Sequence, residues 1–274
     1  MKKCSVSVII PVYNSHSTIQ RAVESVARQT VLPREVIIVD DYSTDRSIVG
    51  VLDEIKIKYD SLFDVVLLFL NQNAGPATAR NIGWNNAKGD YVAFLDSDDT
   101  WHPEKLKLQY SFMCENISVF LSSHNSRVVT TDEIKTFYNK SYLSKKLSVL
   151  RMNPYFLLFK SFGNRTSCIM LKNTPQYRFM EGKRYSEDYL LWLEILFENE
   201  GALIDVELGF AFKSLYGAGG LSGNLLGMEK GELETFYLLK QNGHINSFTY
   251  NICKCFSIIK YIRRLCICFV RKFA

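Results

Sequence analysis

The chain has 274 residues, of which 47% are hydrophobic and 22% charged, and its formal net charge is +5. This length suits one large domain or two small ones, with enough apolar residues for a sizeable core. An odd number of cysteines, seven, argues against a disulfide framework, and no run reaches the roughly 18 apolar residues of a membrane span. The first seven residues lack the features of a signal peptide, so we expect a cytoplasmic protein.

The first hundred residues alternate between short apolar runs and segments with apolar residues at helical spacing. The runs predict strands at 6–13, 36–39, 65–70 and 91–95, with helices at about 19–27, 48–59 and 75–87 between them. Pro11 is expected to end the pairing of the first strand, because proline lacks the N–H that a sheet requires. The alternation predicts an α/β fold with a doubly wound, mostly parallel sheet and right-handed crossovers.

Carboxylates directly follow two of these strands, with Asp40 and Asp41 after the second and Asp96-Ser97-Asp98-Asp99 after the fourth. Open α/β sheets bind ligands where their strands end. Carboxylates this close repel one another unless water or a cation neutralises them, and such oxygen ligands suit Mg²⁺ or Mn²⁺. No Walker-type glycine loop or dinucleotide fingerprint is present, so the pattern predicts phosphate binding through a metal. The alternative is an acidic turn, with Asp41 and Asp99 as turn or capping residues.

Beyond residue 105 the pattern weakens. Helices are predicted at about 103–116, from Ser186-Glu187-Asp188 onward and beyond about 225, with a pair of strands in 117–130 and a short strand at 168–171. Residues 131–165 show no clear period. The glycine-rich run 217–223, preceded by Lys213 and Tyr216, has two open interpretations, a mobile lid over a diphosphate and a surface loop.

The positive charge is concentrated near the C-terminus. After Glu234 the chain has no Asp or Glu, while its last 40 residues hold seven Lys and Arg. Within residues 254–272 these cations alternate with apolar side chains, a pattern typical of a helix that binds an anionic membrane surface. A helix packed on the preceding domain is the alternative. Nucleic-acid binding is not expected, because no RNA-binding module is recognisable.

Four stretches within residues 5–105 resemble the family 2 glycosyltransferases of GT-A fold in order, spacing and strand context. They are Val8-Ile9-Ile10-Pro11-Val12-Tyr13-Asn14, Val39-Asp40-Asp41-Tyr42-Ser43-Thr44-Asp45, Gly75-Pro76-Ala77-Thr78-Ala79-Arg80-Asn81-Ile82-Gly83 and Phe94-Leu95-Asp96-Ser97-Asp98-Asp99. A fifth, Ser186-Glu187-Asp188, resembles a later acidic motif of that family. The resemblance implies a GT-A domain over 1–225, with a nucleotide-sugar half at about 1–105 and an acceptor half at about 106–225. A helical basic region over 226–274 follows it.

The resemblance also implies a nucleotide site for a UDP-sugar, from which a hexose is transferred with inversion. Pro11 and Tyr13 would line the base pocket, and Asp40 would accept a hydrogen bond from the uracil ring. Arg80 and Asp96 would lie near the nucleotide. For Arg80, pairing with a surface carboxylate stays open as a simpler role.

Metal and catalytic roles are carried over in the same way. Asp96 and Asp98 would form the Asp-x-Asp pair that holds Mn²⁺ or Mg²⁺, with Asp98 as the more direct ligand. Asp188 would be the base that deprotonates the acceptor hydroxyl while Glu187 caps the helix, and the reverse assignment is also open. General-base catalysis of this kind is worth about 10²–10⁴ in rate.

A family resemblance of this type implies a diphosphate-lipid-linked sugar as acceptor, in the assembly of a bacterial surface polysaccharide such as O-antigen, on the cytoplasmic face of the inner membrane. Two other functions are considered. A sugar nucleotidyltransferase would also use nucleotide and metal, but its glycine-rich loop after the first strand is absent here. A membrane-tethered protein that binds a nucleotide sugar without turnover is the other, and the intact Asp96, Asp98 and Asp188 argue against it.

Overall fold

The computed structural model describes residues 3–143, 147–159, 165–212 and 223–273, with side chains of the last helix described to residue 269. The strands are β1 (Val6–Val12), β2 (Glu35–Asp40), β3 (Asp64–Phe69), β4 (Tyr91–Phe94), β5 (Thr100–Trp101), β6 (Val119–Val128), β7 (Val149–Arg151), β8 (Met170–Lys172) and β9 (Glu200–Ala211). The helices are α1 (Ile19–Ala27), α2 (Ser47–Tyr59), α3 (Gly75–Asn85), α4 (Lys105–Glu115), α5 (Glu133–Tyr138), α6 (Pro154–Phe159), α7 (Glu187–Glu198), α8 (Leu225–Gln241) and α9 (Ser247–Phe273).

The strands form one mixed sheet in the order β3-β2-β1-β4-β8-β6-β9-β5, with β7 also paired to β9. The first four strands are parallel, as their sequences predict. β8 joins antiparallel to β4 and continues the sheet into the second half of the chain. The chain builds outward from β1 to β3 and then returns to place β4 on the other side of β1. Strand order therefore reverses between β1 and β4, the place where open α/β sheets bind ligands.

Strand β1 shows why these runs are mainly apolar on both faces. Val8 and Ile10 pack into the cluster that contains α1 and α2, whereas Ile9 packs into the opposite cluster with Trp84 of α3 and Trp192 of α7. Successive side chains of a strand point to opposite faces, so a strand covered by helices on both faces is apolar at nearly every position. The sheet therefore has a hydrophobic core on each side.

The expectation that Pro11 ends the pairing of the first strand is wrong. β1 stays in register with β2 through Pro11 opposite Val39 and Val12 opposite Asp40. Backbone groups of successive residues alternate in direction, and the Val12 carbonyl accepts the Asp41 N–H on the β2 side. The position of the missing proline N–H thus faces β4, whose pairing with β1 has already ended at Ile9.

The second half of the chain differs from its prediction in detail. Residues 117–130 contain the single strand β6, which pairs in parallel with β9 over most of its length. Residues 131–165, which show no period, contain the short elements α5, β7 and α6. Lys213, Tyr216 and residues 217–222 of the glycine-rich run lie outside the described residues. No helix in the described ranges is both long enough and apolar enough to cross a membrane.

Candidate active site

The strand ends of β1, β2 and β4 bring the predicted residues to one edge of the sheet. β1 ends next to Tyr13, β2 ends at Asp40, and one residue, Leu95, separates the end of β4 from Asp96. These strands are neighbours in the sheet and run in the same direction. The site therefore lies at the point where the strand order reverses.

At the β1–β2 end, the two loops after the strands are joined by hydrogen bonds. Asp40 is 1% exposed, and its carboxylate accepts hydrogen bonds from the hydroxyl and N–H of Ser43. Asn14, in a left-handed conformation with φ of 51°, donates its N–H to the Ser43 hydroxyl at 2.9 Å and accepts the Thr44 N–H at 2.9 Å. Tyr13 remains 46% exposed beside this fixed framework.

The neighbouring Asp41 has a separate structural role. Its buried carboxylate accepts the N–H of Ala74 at 2.7 Å and of Gly75 at 2.9 Å, together with the side-chain amide of Asn73. These N–H groups lie at the N-terminus of α3, where backbone donors lack partners within the helix. Burial raises the pKa of Asp41, while the two N–H groups oppose that shift. Asp41 therefore holds the start of α3, in agreement with its alternative role as a capping residue.

Arg80 of α3 links two acidic motifs that are far apart in the sequence. Its Nη2 lies 2.8 Å from Oδ1 of Asp96, and its Nη1 lies 2.9 Å from Oε1 of Glu187. The side chain of Arg80 is 7% exposed and that of Glu187 is 8% exposed, so this pair is shielded from water, whereas Asp96 is 32% exposed. Burial lowers the pKa of Arg80, but the two carboxylates outweigh it and keep the pKa above its usual value. Arg80 therefore does more than pair with a surface carboxylate, because its partner Glu187 is buried, with a side chain only 8% exposed.

The acidic turn before α7 places its two carboxylates differently. Glu187 is buried, and burial together with neighbouring Asp188 raises its pKa to about 7 against the opposing effect of Arg80. Asp188 is half-buried, accepts the hydroxyl of Thr166 at 2.7 Å, and accepts the N–H of Tyr189 at 2.7 Å. The side chain of Ser186 makes no capping hydrogen bond at the start of α7. Of the two carboxylates, Asp188 is the one with access to solvent.

Ser167 organises the acidic stretch after β4. Its hydroxyl accepts the Asp96 N–H at 3.1 Å and donates to Asp99 at 2.7 Å. Asp99 is 3% exposed, and burial followed by repulsion from Asp96 raises its pKa to about 7. Its position as a turn residue agrees with the alternative interpretation, because its N–H donates to the Asp96 carbonyl at 3.0 Å.

Arg21 and Ser15 fix the same stretch from the side of α1. The Nη2 of Arg21 donates to the carbonyl of Asp98 at 2.9 Å, and its guanidinium lies 3.6 Å from the ring centroid of Phe212. The hydroxyl of Ser97 donates to Ser15 at 2.8 Å. Side chains from three separate parts of the chain thus hold the stretch in place.

The carboxylates of Asp96 and Asp98 fit a hard divalent cation that keeps part of its coordination shell for phosphate and water. Both are half-buried, and Mg²⁺ typically takes only one or two protein carboxylates. In the described ranges, no three or more His, Cys, Asp or Glu side chains are grouped so that they could hold a metal ion. Two carboxylates alone would leave coordination positions for the oxygens of a diphosphate and for water.

Sequence reasoning did not identify several of these residues. Thr166 and Ser167 lie in a short turn that no periodic pattern marks, and Arg21 reads as an ordinary polar position on α1. The structure brings Arg80, Asp96 and Glu187 into direct contact, with Asp188 adjacent in the chain.

The sequence profile of Glycosyl transferase family 2 matches residues 7–172, more than half of the chain. The chain belongs to this family, so the predicted family and the class of glycosyltransferases are confirmed. One relative is an uncharacterized glycosyltransferase of Rickettsia felis, 38% identical over 203 residues. That match covers 74% of this chain and 32% of the relative, so the chain spans about a third of that protein's length.

A second relative is the Escherichia coli UDP-Glc:alpha-D-GlcNAc-diphosphoundecaprenol beta-1,3-glucosyltransferase WfgD. It is 33% identical over 203 residues, which cover 73% of each chain. Among solved structures, S. aureus TarS 1–349 in complex with UDP-GlcNAc matches with a TM-score of 0.66 and 22% identity. The match covers 93% of this chain and 70% of that one, and it confirms the GT-A fold.

Proposed function

We propose that this protein transfers a hexose, with inversion, from a UDP-sugar to a hydroxyl of a sugar acceptor. The observation that carries this proposal is the Arg80 bridge. It joins Asp96, in the acidic motif after β4, to Glu187, the neighbour of Asp188, at the point of strand-order reversal. A nucleotide-sugar site and a carboxylate base would then face one another across one binding cleft.

In this proposal the nucleotide lies against the ends of β1 and β2. The exposed ring of Tyr13 and the adjacent Pro11 line the base pocket, and the buried carboxylate of Asp40 accepts a hydrogen bond from the uracil ring. Ser43 already donates to that carboxylate and so fixes its orientation before the ligand binds. Preorganisation of this kind reduces the ordering cost of binding.

Asp188 is the proposed base. Its carboxylate takes the proton of the acceptor hydroxyl, whose oxygen forms a bond to the anomeric carbon on the face opposite the diphosphate. The bond from that carbon to the diphosphate oxygen breaks, its electron pair leaves with UDP, and the transition state resembles an oxocarbenium ion. Asp98 and Asp96 would hold Mg²⁺ or Mn²⁺, which when bound stabilises the negative charge on the leaving diphosphate.

The relatives support particular donors and acceptors. The name of WfgD describes transfer of glucose from UDP-Glc to a sugar linked to diphosphoundecaprenol. The TarS structure contains UDP-GlcNAc. We propose by analogy that this chain uses a UDP-hexose and a sugar acceptor on a lipid diphosphate, in the assembly of a surface polysaccharide. A sugar nucleotidyltransferase and a binding protein without turnover remain as the outcomes to be excluded.

Helix α9 has two faces of different character, which bears on the predicted membrane surface of residues 254–272. One face packs on α8, where Ser257 donates to Glu229 at 2.9 Å and Arg264 lies 2.8 Å from Glu232. Lys260 also pairs with Glu232. Two of the seven terminal cations, Lys260 and Arg264, are therefore neutralised by α8 and contribute little to binding of an anionic surface.

The opposite face of α9 is exposed and apolar. It carries Phe248, Ile258, Ile259, Ile262, Leu265 and Phe269. At 3.6 residues per turn, exposed Lys254 and Arg263 lie on opposite sides of this stripe. Apolar side chains flanked by cations are typical of a helix that lies in a membrane interface. We propose that this face binds an anionic bilayer, which would bring the site to a lipid-linked acceptor.

The reaction is tested by product analysis with a panel of UDP-sugars and Mn²⁺, with and without a synthetic diphosphate-lipid sugar. We expect UDP release from one donor to depend on the acceptor. Asp98→Ala should abolish this acceptor-dependent UDP release. Asp188→Asn, which removes the base, should lower its rate by about 10²–10⁴. Asp53→Asn, an exposed residue of α2, is the matched control and should retain wild-type turnover. Formation of UTP and sugar 1-phosphate from a UDP-sugar when pyrophosphate is added would instead indicate a nucleotidyltransferase, and UDP binding without release would indicate a binding protein.

Membrane binding is tested separately by co-sedimentation with vesicles of phosphatidylcholine alone or mixed with phosphatidylglycerol. Binding should require the anionic lipid and weaken in high salt. Ile259→Asp should reduce it, and Ile57→Asp, at a position 83% exposed on α2, should not. The exposed face has another role if Ile259→Asp binds vesicles like the wild type. The same holds if the wild type is a dimer and Ile259→Asp converts it to monomers.

A further inference from the structure

The turn that leads into α7 has an unfavourable backbone conformation at Ser186. Its φ is 57°, in the left-handed region that residues other than glycine rarely adopt. Its side chain makes no capping hydrogen bond that would offset this cost. Such a conformation persists only where surrounding structure holds it. The next two residues are Glu187, which contacts Arg80, and Asp188, the proposed base.

Helix α8 supplies that support by close backbone contact. A Cβ atom added at Gly231 would lie 2.6 Å from both the Cβ and the carbonyl oxygen of Tyr185, nearer than real atoms approach. A Cβ atom added at Gly227 would lie 2.6 Å from Cζ of the Tyr185 ring. Two glycines one turn apart thus let the helix lie directly against the residue before Ser186.

Hydrogen bonds fasten this contact on both sides. The buried Nζ of Lys183 donates to the Gly231 carbonyl at 2.8 Å and pairs with Glu234 at 2.8 Å. The side-chain amide of Asn224 donates to the Tyr185 hydroxyl at 3.1 Å. Since glycine is among the weakest helix formers, its presence twice inside α8 calls for a packing reason. The approach of Tyr185 provides it.

We propose that Gly231, assisted by Gly227, is a positioning residue for the acidic turn. Contact at Gly231 fixes the backbone of Tyr185 and thereby the left-handed Ser186. The turn then directs Glu187 to Arg80 and Asp188 toward the acceptor. This inference rests on the proposed transferase function for its kinetic consequence, whereas the docking of the turn on α8 is independent of it.

The test compares Gly231→Ala with Gly50→Ala on α2, where an added Cβ meets nothing within 4 Å. A shift of the base by about 1 Å can cost on the order of 10² in rate. We expect kcat for transfer to fall by about tenfold or more in Gly231→Ala, with the KM for the donor and the Kd for UDP within about twofold of wild type. Gly50→Ala should keep wild-type kinetics.

Two double variants distinguish crowding of the Tyr185 backbone from crowding of the Tyr185 ring. The added methyl of Gly227→Ala meets chiefly the Tyr185 ring, so Tyr185→Leu should restore much of the kcat lost in Gly227→Ala. The same change should not rescue Gly231→Ala, whose methyl also meets the backbone of residue 185. Ser186→Gly should retain kcat, because glycine adopts the left-handed conformation without strain.

Amide hydrogen exchange over residues 183–189 gives a readout that needs no substrate. Gly231→Ala should exchange faster there than wild type, while exchange in β1 and β2 stays unchanged. The inference fails if kcat and local exchange match wild type, or if UDP affinity, kcat and unfolding midpoint all fall together. If the wild-type protein itself shows no transfer, the proposed function fails, and exchange alone decides whether Gly231 positions the turn.

Discussion

Arg80 and Glu187 form a buried ion pair between residues 107 positions apart in the sequence, with Nη1 and Oε1 at 2.9 Å. Arg80 also binds Asp96 at 2.8 Å, so one guanidinium serves carboxylates from both halves of the chain. Arginine suits this role because its planar fork presents separate donors to two acceptors. The acidic stretch after β4 and the turn before α7 are thereby held at a fixed separation.

Removing this guanidinium should destabilise the protein strongly. Arg80→Ala leaves two carboxylates without their partner, and we expect a loss of about 3–5 kcal/mol in the free energy of unfolding by urea. Arg28→Ala is the control, because Arg28 forms an exposed pair with Glu24 whose loss should cost less than about 1 kcal/mol. Equal losses in the two variants would contradict a structural role for the bridge.

Lys105 should make stability depend on pH. Its Nζ lies 3.7 Å from the ring centroid of Trp101 and has no hydrogen-bond partner within the described structure. Burial lowers its pKa to about 7, against the opposing effect of the Cys168 and Cys4 thiols, while His124 is a further titratable neighbour. In the unfolded chain Lys105 keeps its proton to about pH 10.4. Above pH 7 the unfolded state therefore binds more protons than the folded state, so the free energy of unfolding of the wild type should rise with pH there.

The measurement is the difference in unfolding free energy between Lys105→Met and wild type, which removes contributions common to both. The variant should be more stable near neutral pH, and its advantage should shrink by up to about 1.4 kcal/mol per pH unit between about pH 7 and pH 9. Lys107→Met, at an exposed position of the same helix, should show no such trend. A difference that is constant across this range would rule out titration of Lys105.

The adjacent carboxylates Asp40 and Asp41 should have separable effects. Asp41→Ala frees the N–H groups at the start of α3 and should lower the free energy of unfolding by about 1–2 kcal/mol. Asp40→Asn should chiefly weaken UDP binding, if this carboxylate accepts a hydrogen bond from the uracil ring. Calorimetric titration with UDP and urea unfolding, run on both variants, distinguish the two roles. If Asp40→Asn binds UDP with wild-type affinity, Asp40 does not belong to the nucleotide site.

The hydroxyl of Thr166 should matter for turnover, since it donates to the carboxylate of Asp188 at 2.7 Å. A hydrogen bond to a charged group contributes about 1.5–3 kcal/mol, so Thr166→Val should lower kcat by roughly 10- to 100-fold if the bond is needed to orient the base. Thr166→Ser keeps the hydroxyl and should retain most activity. Steady-state kinetics decide the matter, and equal kcat values in the two variants would mean that the bond does not orient the base.

The sequence was sufficient for the sheet edge because its information there is local. A strand such as β2, apolar at every central position and ending at Asp40, indicates both a buried parallel strand and the place where its carboxylate emerges. The same argument locates Asp96 after β4. Both lie at the predicted edge.

Contacts between distant segments are not encoded in such patterns. Glu187 and Asp188 are adjacent at a helix start, and nothing in their order tells which one reaches Arg80. Ser167 joins Asp96 and Asp99 only because an irregular turn passes beside β4. These pairs form only when distant segments pack against one another in the folded protein, and no periodic pattern in the sequence indicates them.

Helix α8 lies between two surfaces, since Gly227 and Gly231 face the acidic turn while Glu229 and Glu232, on the opposite side, hold α9. If α9 rests on a bilayer, the height of the base above the lipid headgroups is set by two helix thicknesses, roughly 20 Å. Such a spacing would favour an acceptor whose reactive hydroxyl stays near its lipid anchor over the distant end of a long glycan. Selection by acceptor length would then follow from the thickness of the protein layer beneath the site.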